Sequence, residues 1–444
     1  MENILNDIRK YKLINAGERI AVACSGGKDS MALLNFLWTH KGELKCDVVA
    51  VNIDHSIREN SAGDSAFVEK FCKKHDIKCY TYKVDAIKHS EDKKLTLEQG
   101  ARECRYNAFQ DLIKRKLVDK IALAHHMQDQ AETILLNIFR GTGIAGASGM
   151  DFIRDNVYIR PLLNISPVEI MAYLSTNDIP YVEDESNNED DYNRNYIRNK
   201  IMPLIRVRWP QADKSLSSFG KNCRQDEKYI QSTISRDAIM TEEGMAKINA
   251  TYFIYDDAYV FRLILRALKS IGFGTNVETK HLKMIKSMAL EAENGTKISL
   301  PMGLSVIKEY NYITFTNRKI KKSDKTYNFT KGKLDISHFG LIETFVTRKM
   351  DMGVYTHLID AGKLPKNAVW RFRKDGDVFE KFGGGTKSLS DYLIDKKVPV
   401  RLRALTPVLA VGNEIYIIAG VEISEKLKID NNSKMAYGIN VKRF

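Results

Sequence analysis

The chain has 444 residues, 43% hydrophobic and 28% charged, an ordinary globular composition that excludes disorder over most of its length. At about three times the ~150-residue domain prior, two or three domains are expected. Its 69 Lys and Arg against 56 Asp and Glu leave a formal charge of +13. Such an excess attracts polyanions, nucleic acid ahead of acidic membrane, because neutralised phosphates release counterions.

No run of ~18 apolar residues marks a membrane span, and the first residues, MENILNDIRKYKL, lack the apolar stretch of a signal peptide. The six cysteines are sparse and form no C-x-x-C. A reduced, cytoplasmic chain without membrane contact is expected.

In chain order, residues 19–24 (RIAVAC), 47–53 (DVVAVNI), 78–84 (KCYTYKV) and 120–124 (KIALA) read as short, buried parallel strands. Helix-length segments at 30–40, 64–76 and 97–117 separate them. This alternation predicts an α/β fold whose N-terminal part is an open, doubly wound parallel sheet. Ligands of such sheets sit at the carboxyl ends of the strands, at a switch point. Residues 140–150 (RGTGIAGASGM) form a glycine-rich loop. An acidic run at 183–191 precedes a basic one at 194–208 (RNYIRNKIMPLIRVR). The stretch to 317 reads as mainly helical, with apolar periodicity at 259–271 and 280–290 and a hairpin at 297–315. Residues 318–333 read as a basic, solvated linker, and the remainder as a small α/β domain. The expected domains are therefore 1–208, 209–317 and 334–444, with the linker at 318–333.

The first strand runs into Ser25, Gly26, Gly27, Lys28, Asp29 and Ser30. Two glycines let the backbone approach an anion, and hydroxyls and N–H groups at a helix start bind phosphate oxygens. The spacing is neither that of a P-loop NTPase nor that of a dinucleotide-binding turn. A Gly-Gly turn with a capped helix is the plainer alternative. Asp54 and His55 follow the second strand, and Arg102 and Arg105 lie near a helix start; each alone also fits a surface turn or solvated helix. His125 and His126 follow the fourth strand, where adjacent side chains diverge. Asp129 and Glu132 sit three apart, which suits a helix capping box as well as a pair of catalytic carboxylates.

SGGKDS resembles the PP-loop signature of ATP pyrophosphatases, enzymes that cleave ATP between the α and β phosphates to adenylate a carbonyl oxygen. Together with DHSIR, GARECRY, AHHMQDQAET, RGTGIAG, RPLL, DESNN…RNYIR and RKDGD…KSLSDYLIDKKVP, it is similar to the tRNA(Ile)-lysidine synthetase family over residues ~15–425. Gln128 departs from the pattern, standing where that family has the first Asp of a pair.

The resemblance implies an ATP-binding catalytic domain at 1–208, a tRNA-recognition domain at 209–317 and a tRNA-binding domain at 334–444. It implies adenylation of the 2-carbonyl oxygen of the wobble cytidine in the CAU anticodon of tRNA(Ile). Attack by the ε-amine of free lysine then gives lysidine, AMP and pyrophosphate, moving codon recognition from AUG to AUA and identity from Met to Ile. ATP would contact Ser25, Gly26, Gly27, Lys28, Asp29, Ser30, Asp54, His55 and Arg102, with Mg²⁺ on Asp29. Lysine would be held by Asp129, Glu132 and Arg105, and the catalytic set would be Asp29, Asp129, Glu132 and Arg105. Arg194, Arg198, Arg206 and Arg208 would meet tRNA phosphates, as would Arg371, Arg373, Lys387, Lys396 and Lys397 at the acceptor stem. A homodimer is admitted. A tRNA thiolase of the same superfamily is the rival enzyme, disfavoured by the missing C-x-x-C; an RNA-binding protein with a degenerate nucleotide site is the non-catalytic rival.

Overall fold

A computed structural model describes residues 2–55, 61–182, 193–242, 244–273, 277–317, 324–336, 339–348 and 355–443. Ser56, Ile57 and Arg58 of DHSIR, the acidic run 183–191 and linker residues 318–323 lie outside them. The chain divides into two compact units, Met1–Tyr229 and Ile230–Phe444.

In the first unit, helix α1 (Glu2–Lys10) precedes β1 (Arg19–Ala23), α2 (Lys28–Thr39), α3 (Lys41–Leu44), β2 (Asp47–Asp54), α4 (Ser61–Lys74) and β3 (Cys79–Lys83). Then come α5 (Ala86–Lys93), α6 (Leu97–Lys114), β4 (Lys120–Ala122), α7 (Met127–Phe139), α8 (Ile144–Ala147), β5 (Ile153–Arg154), β6 (Tyr158–Ile159) and α9 (Pro167–Thr176). The sheet order is β3-β2-β1-β4-β6-β5, with all neighbours parallel except the β5–β6 edge pair. The four expected strands are all present, but only three are buried: β3 stands at the sheet edge and none of its residues is fully buried. Both faces of the other strands are covered because side chains alternate along each strand. Ile20, Val22, Val48 and Ala50 pack against Met31, Leu34 and Leu37 of α2 and Ile170 and Leu174 of α9. Ala21, Val49, Val51 and Ile121 face the other way, onto Phe109 and Leu112 of α6. Each buried Val, Leu, Ile, Met or Phe among them contributes roughly 1.5–3 kcal/mol, and the alanines less.

The chain winds outward from β1 to β3 and returns on the far side of β1 as β4. The topological switch point therefore lies between β1 and β4, where SGGKDS and the segment 125–132 emerge side by side. Next follow α10 (Asn193–Tyr196), a π turn (Ile197–Ile201), α11 (Met202–Arg208) and α12 (Ala212–Thr233). Pro203 has no N–H to give to the turn before it, and the widened π turn coincides with that loss. Helix α12 continues the first unit past the expected limit at 208. Its Gly220 sits so close to α7 that a Cβ there would lie 2.6 Å from Ile134 Cδ1. Its Arg224 donates to the carbonyls of Ser148 and Met150 at 2.6 Å each, tying down the end of the glycine-rich loop.

In the second unit, the expected helices form as Asp257–Ser270 and Thr279–Glu291. They share a core with a five-stranded antiparallel sheet that contains the expected hairpin, Ser305–Glu309 with Tyr312–Thr316. Beyond it lie a seven-stranded and a four-stranded sheet. The solvated-linker reading fails over its second half: Tyr327–Asn328 pairs with Val369–Phe372, and a strand begins at Gly332. Charge there is carried by side chains, while backbone pairing and the packing of Tyr327 and Phe329 decide the local structure.

Candidate active site

SGGKDS makes a turn held by its own atoms. Gly26 takes φ +88°, a left-handed conformation that glycine adopts at no steric cost, and its carbonyl accepts the N–H of Val182 at 2.9 Å. Ser30 Oγ donates to the Gly27 carbonyl at 2.9 Å and accepts the Ser25 N–H at 3.2 Å. Gly27 caps α2 without any side-chain acceptor, so the helix start presents its N–H groups outward.

This turn forms one wall of a cavity of about 690 Å³. Ser25, Gly27, Lys28, Asp29, Ser30, His55 and Arg105 all line it, joined by His125, Arg198 and an apolar side made of Val51, Ile53, Phe109, Leu123, Met171 and Tyr181. Three buried polar atoms on that lining, Asp29 Oδ1, His55 Nδ1 and His125 Nδ1, have no hydrogen-bond partner among the described residues. Buried groups left this way cost free energy unless a ligand completes them. Burial raises the Asp29 carboxyl above its ordinary value, although His126 and Lys28 pull it down. Burial, reinforced by Arg160, Arg194 and Arg105, drives His125 down to about 3, so this imidazole is neutral at physiological pH. Burial and then Arg105 lower His55 as well.

A second cluster adjoins this wall. Helix α7 starts at Met127, so its capping box is His126 with Asp129, one turn earlier than the Asp129–Glu132 box that the spacing allowed. His126 Nδ1 accepts the Gln128 N–H at 3.2 Å, and Asp129 Oδ2 accepts the His126 N–H at 3.0 Å. His126 Nε2 stands 3.7 Å from both Asp29 and Asp129, bridging the two clusters. The remaining carboxylate oxygens are taken by two arginines. Arg198 donates to Asp129 Oδ1 at 2.7 Å and to both oxygens of Glu132 at 2.8 Å; Arg194 reaches the same carboxylates at 3.1 and 3.3 Å. Burial works against charge on Asp129, but His126 and Arg194 outweigh it and hold the carboxyl below its usual range.

The expected site residues thus divide. Arg105 lines the cavity, whereas Arg102 is turned onto the Tyr106 ring, 5.1 Å from its centroid, and Asp54 is buried but does not line the cavity. Arg194 and Arg198, expected on phosphates, are engaged by Asp129 and Glu132. Arg206 pairs with Asp213 at 2.7 Å and, with the Gln128 amide turned to present its oxygen, also with Gln128. Arg208 is exposed. Arg371 cannot be the surface phosphate contact expected from its position: it is 5% exposed, and Asp377, the Phe372 carbonyl and the Gly412 carbonyl hold its guanidinium. Its strand is covered on both faces, since Trp370, Arg371 and Phe372 are all buried. Arg373 donates weakly to Ser390 at 3.3 Å, Lys387 pairs with Asp395, Lys396 with Glu422, and Lys397 is exposed in a left-handed turn. Sequence reasoning missed His125 as a lining group, and the only signal for it was its place directly after β4.

A hard cation fits beside Asp29, whose unpartnered Oδ1 is an oxygen donor of the kind Mg²⁺ takes one or two of, with phosphates and waters completing the shell. Among the described residues, no group of three or more His, Cys, Asp or Glu could hold a metal alone.

Comparison with known proteins adds the following. Residues 2–205 match the PP-loop domain, and residues 368–439 match the TilS substrate C-terminal domain. The tRNA(Ile)-lysidine synthase of Clostridium tetani is 34% identical over 99% of this chain and 97% of its own. That of Clostridium acetobutylicum is 33% identical over 100% and 99%. That of Bacillus subtilis is 29% identical over 98% and 97%.

Proposed function

The chain belongs to the tRNA(Ile)-lysidine synthase family, and from that premise we propose how its residues divide the reaction. It is an ATP-dependent ligase that forms a carbon–nitrogen bond on tRNA(Ile). ATP adenylates the 2-carbonyl oxygen of the wobble cytidine, releasing pyrophosphate; the ε-amine of lysine attacks C2, and AMP leaves with the oxygen. The amide-like oxygen is a poor leaving group until it carries phosphate, which is why the reaction needs two steps.

The observation that carries the assignment of the cavity is its lining. An outward helix start, Lys28 and three unpartnered buried polar atoms meet an apolar side at the switch point. The apolar side suits a base, and the helix start with the Ser25 and Ser30 hydroxyls suits the departing pyrophosphate. Neutral His125 is suited to donate or accept one hydrogen bond without repelling the neighbouring arginines. Mg²⁺ held at Asp29 would offset charge on the phosphates. Asp129 and Glu132 would receive the lysine ammonium, and Arg105 its carboxylate. Lysine's ammonium, with a reference pKa near 10.4, must lose a proton before it attacks. The described helices include none long and apolar enough to cross a membrane, and a cytoplasmic setting suits the free cysteines.

Pyrophosphate release tests this reading. It should require both lysine and a CAU-anticodon tRNA, and Ser25→Ala or Asp29→Ala should abolish it while tRNA binding persists. Release sustained by a sulfur donor would mark the thiolase, and tRNA binding without release would mark the non-catalytic protein.

A further inference from the structure

The two residue sets assigned to different substrates are bonded to each other. Glu132 is fully buried, and Asp129 is only 9% exposed. Counting the His126 N–H, the two carboxylates accept six hydrogen bonds, five of them from Arg194 and Arg198. With about four acceptor positions per carboxylate, little capacity remains for an incoming ammonium. The arginine side chains are about one-third exposed, at 33% and 30%, so they are reachable from solvent while their acceptors are not. They stand on one short helical stretch, α10 with its π turn, in the most basic part of the unit, which also carries Lys200 and Arg208.

Withdrawing these guanidiniums alone would leave Glu132 as an uncompensated buried charge, a costly state. Withdrawing them while an ammonium takes their place would not. RNA phosphates are the natural acceptors for the released arginines, since guanidinium binds phosphate in the same two-pronged way as carboxylate.

We infer that Arg194 and Arg198 are internal placeholders for the lysine cation, exchanged onto RNA phosphates when tRNA binds, so that tRNA and lysine bind with positive coupling. The inference rests on the lysine site proposed above and adds its regulation. Linkage makes the effect reciprocal: tRNA tightens lysine by the factor by which lysine tightens tRNA. The exchange breaks four arginine–carboxylate ion pairs; each arginine re-pairs with a phosphate, and the two carboxylates re-pair with the α- and ε-ammonium groups of lysine.

Equilibrium dialysis of radiolabelled lysine tests it, using the full chain and an ATP analogue with an uncleavable α–β linkage so that no turnover occurs. Adding CAU-anticodon tRNA should tighten lysine binding by about fivefold or more, the lower end of ordinary coupling. Arg198→Gln should bind lysine without tRNA more tightly than the wild type does, and tRNA should then add less than about twofold. Arg194→Gln, which removes the longer contacts, should show the same trend and serves if Arg198→Gln fails to fold. Arg198→Lys keeps a cation on the carboxylates and should restore coupling. Equal lysine affinity with and without tRNA in the wild type overturns the inference but leaves the lysine site standing. So would both glutamine variants binding lysine no better than wild type without tRNA. No lysine binding in any mixture would overturn the site and the inference together.

Discussion

Asp129 accepts the backbone N–H of His126 at 3.0 Å through one carboxylate oxygen and meets Arg198 at 2.7 Å through the other. One side chain therefore closes the start of α7 and anchors the ion cluster. Asp129→Asn retains an oxygen for the cap and loses the charge. Charge-assisted bonds of about 1.5–3 kcal/mol correspond to a rise of roughly 10- to 100-fold in the KM for lysine. The KM for ATP should move far less; the melting temperature should also fall, because the amide turns N–H donors onto Arg194 and Arg198. Steady-state kinetics with each substrate varied, beside thermal melts, separates this from a purely structural role, which would lower stability and leave the lysine KM alone.

Asp29 should show a trade of stability for function. Its carboxyl is raised in the folded state, by burial first, above its ordinary 3.8. Ionisation therefore opposes folding at every pH above the folded value, and the penalty fades as pH falls towards 3.8. Asp29→Asn should melt higher than wild type at pH 7, by a margin that shrinks on acidification, while pyrophosphate release is lost. A variant that melts lower at pH 7 would show that the carboxylate is compensated in the folded protein.

Arg371, on a C-terminal strand, should separate cleanly from Arg373 and Lys397, which lie outside the strands. Arg371→Ala leaves Asp377 buried and unpaired and should cost about 3–5 kcal/mol of stability, as broken buried pairs do. Arg373→Ala with Lys397→Ala should leave melting nearly unchanged and weaken full-length tRNA binding by about 1–3 kcal/mol. An isolated anticodon stem-loop should be scarcely affected. For every phosphate that the double variant no longer neutralises, the slope of log affinity against log salt should also flatten by roughly 0.9. Filter binding across a salt series with both RNAs decides it, and equal losses on the two RNAs would return Arg373 and Lys397 to a solvated face.

How far the sequence carries can be judged residue by residue. The strands of the parallel sheet were legible because buried strands are short apolar runs, and SGGKDS was legible because its spacing is local. Ser25, Lys28, Asp29 and His55 meet on one cavity at the strand ends, as such a sheet predicts, and Arg105 reaches it from within α6. The pairing of Arg194 and Arg198 with Asp129 and Glu132 was not legible, since residues some 65 positions apart meet only through the return of α10 onto α7. The inward turn of Arg371 was hidden for a related reason: a basic residue among basic neighbours gives no sign that an aspartate six positions on will bury it. The five-stranded sheet around the helices Asp257–Ser270 and Thr279–Glu291 was only half legible, because its edge strands Ile239–Glu242 and Lys297–Ser299 are short and mostly exposed.

Gly26→Ala tests the loop itself. At φ +88° an alanine would cost about 1–2 kcal/mol of backbone strain. Its Cβ would make only ordinary contacts, the nearest at 3.5 Å to Val68. The expected result is a raised KM for ATP with an unchanged KM for lysine, read by initial-rate kinetics. Equal changes in both would mean that the turn supports the whole site and not the phosphates in particular.

In the proposed reaction this cavity joins lysine to a cytidine of tRNA(Ile) at the expense of ATP. Mass spectrometry of nuclease digests tests it most directly, after CAU-anticodon tRNA(Ile) has been incubated with the protein, ATP and isotopically labelled lysine. The expected product is a modified nucleoside heavier than cytidine by one labelled lysine less one water, at the anticodon's first position, absent when ATP is omitted or Asp29 is replaced by Ala. Unmodified cytidine at that position, with active ATP and lysine present throughout, would contradict it.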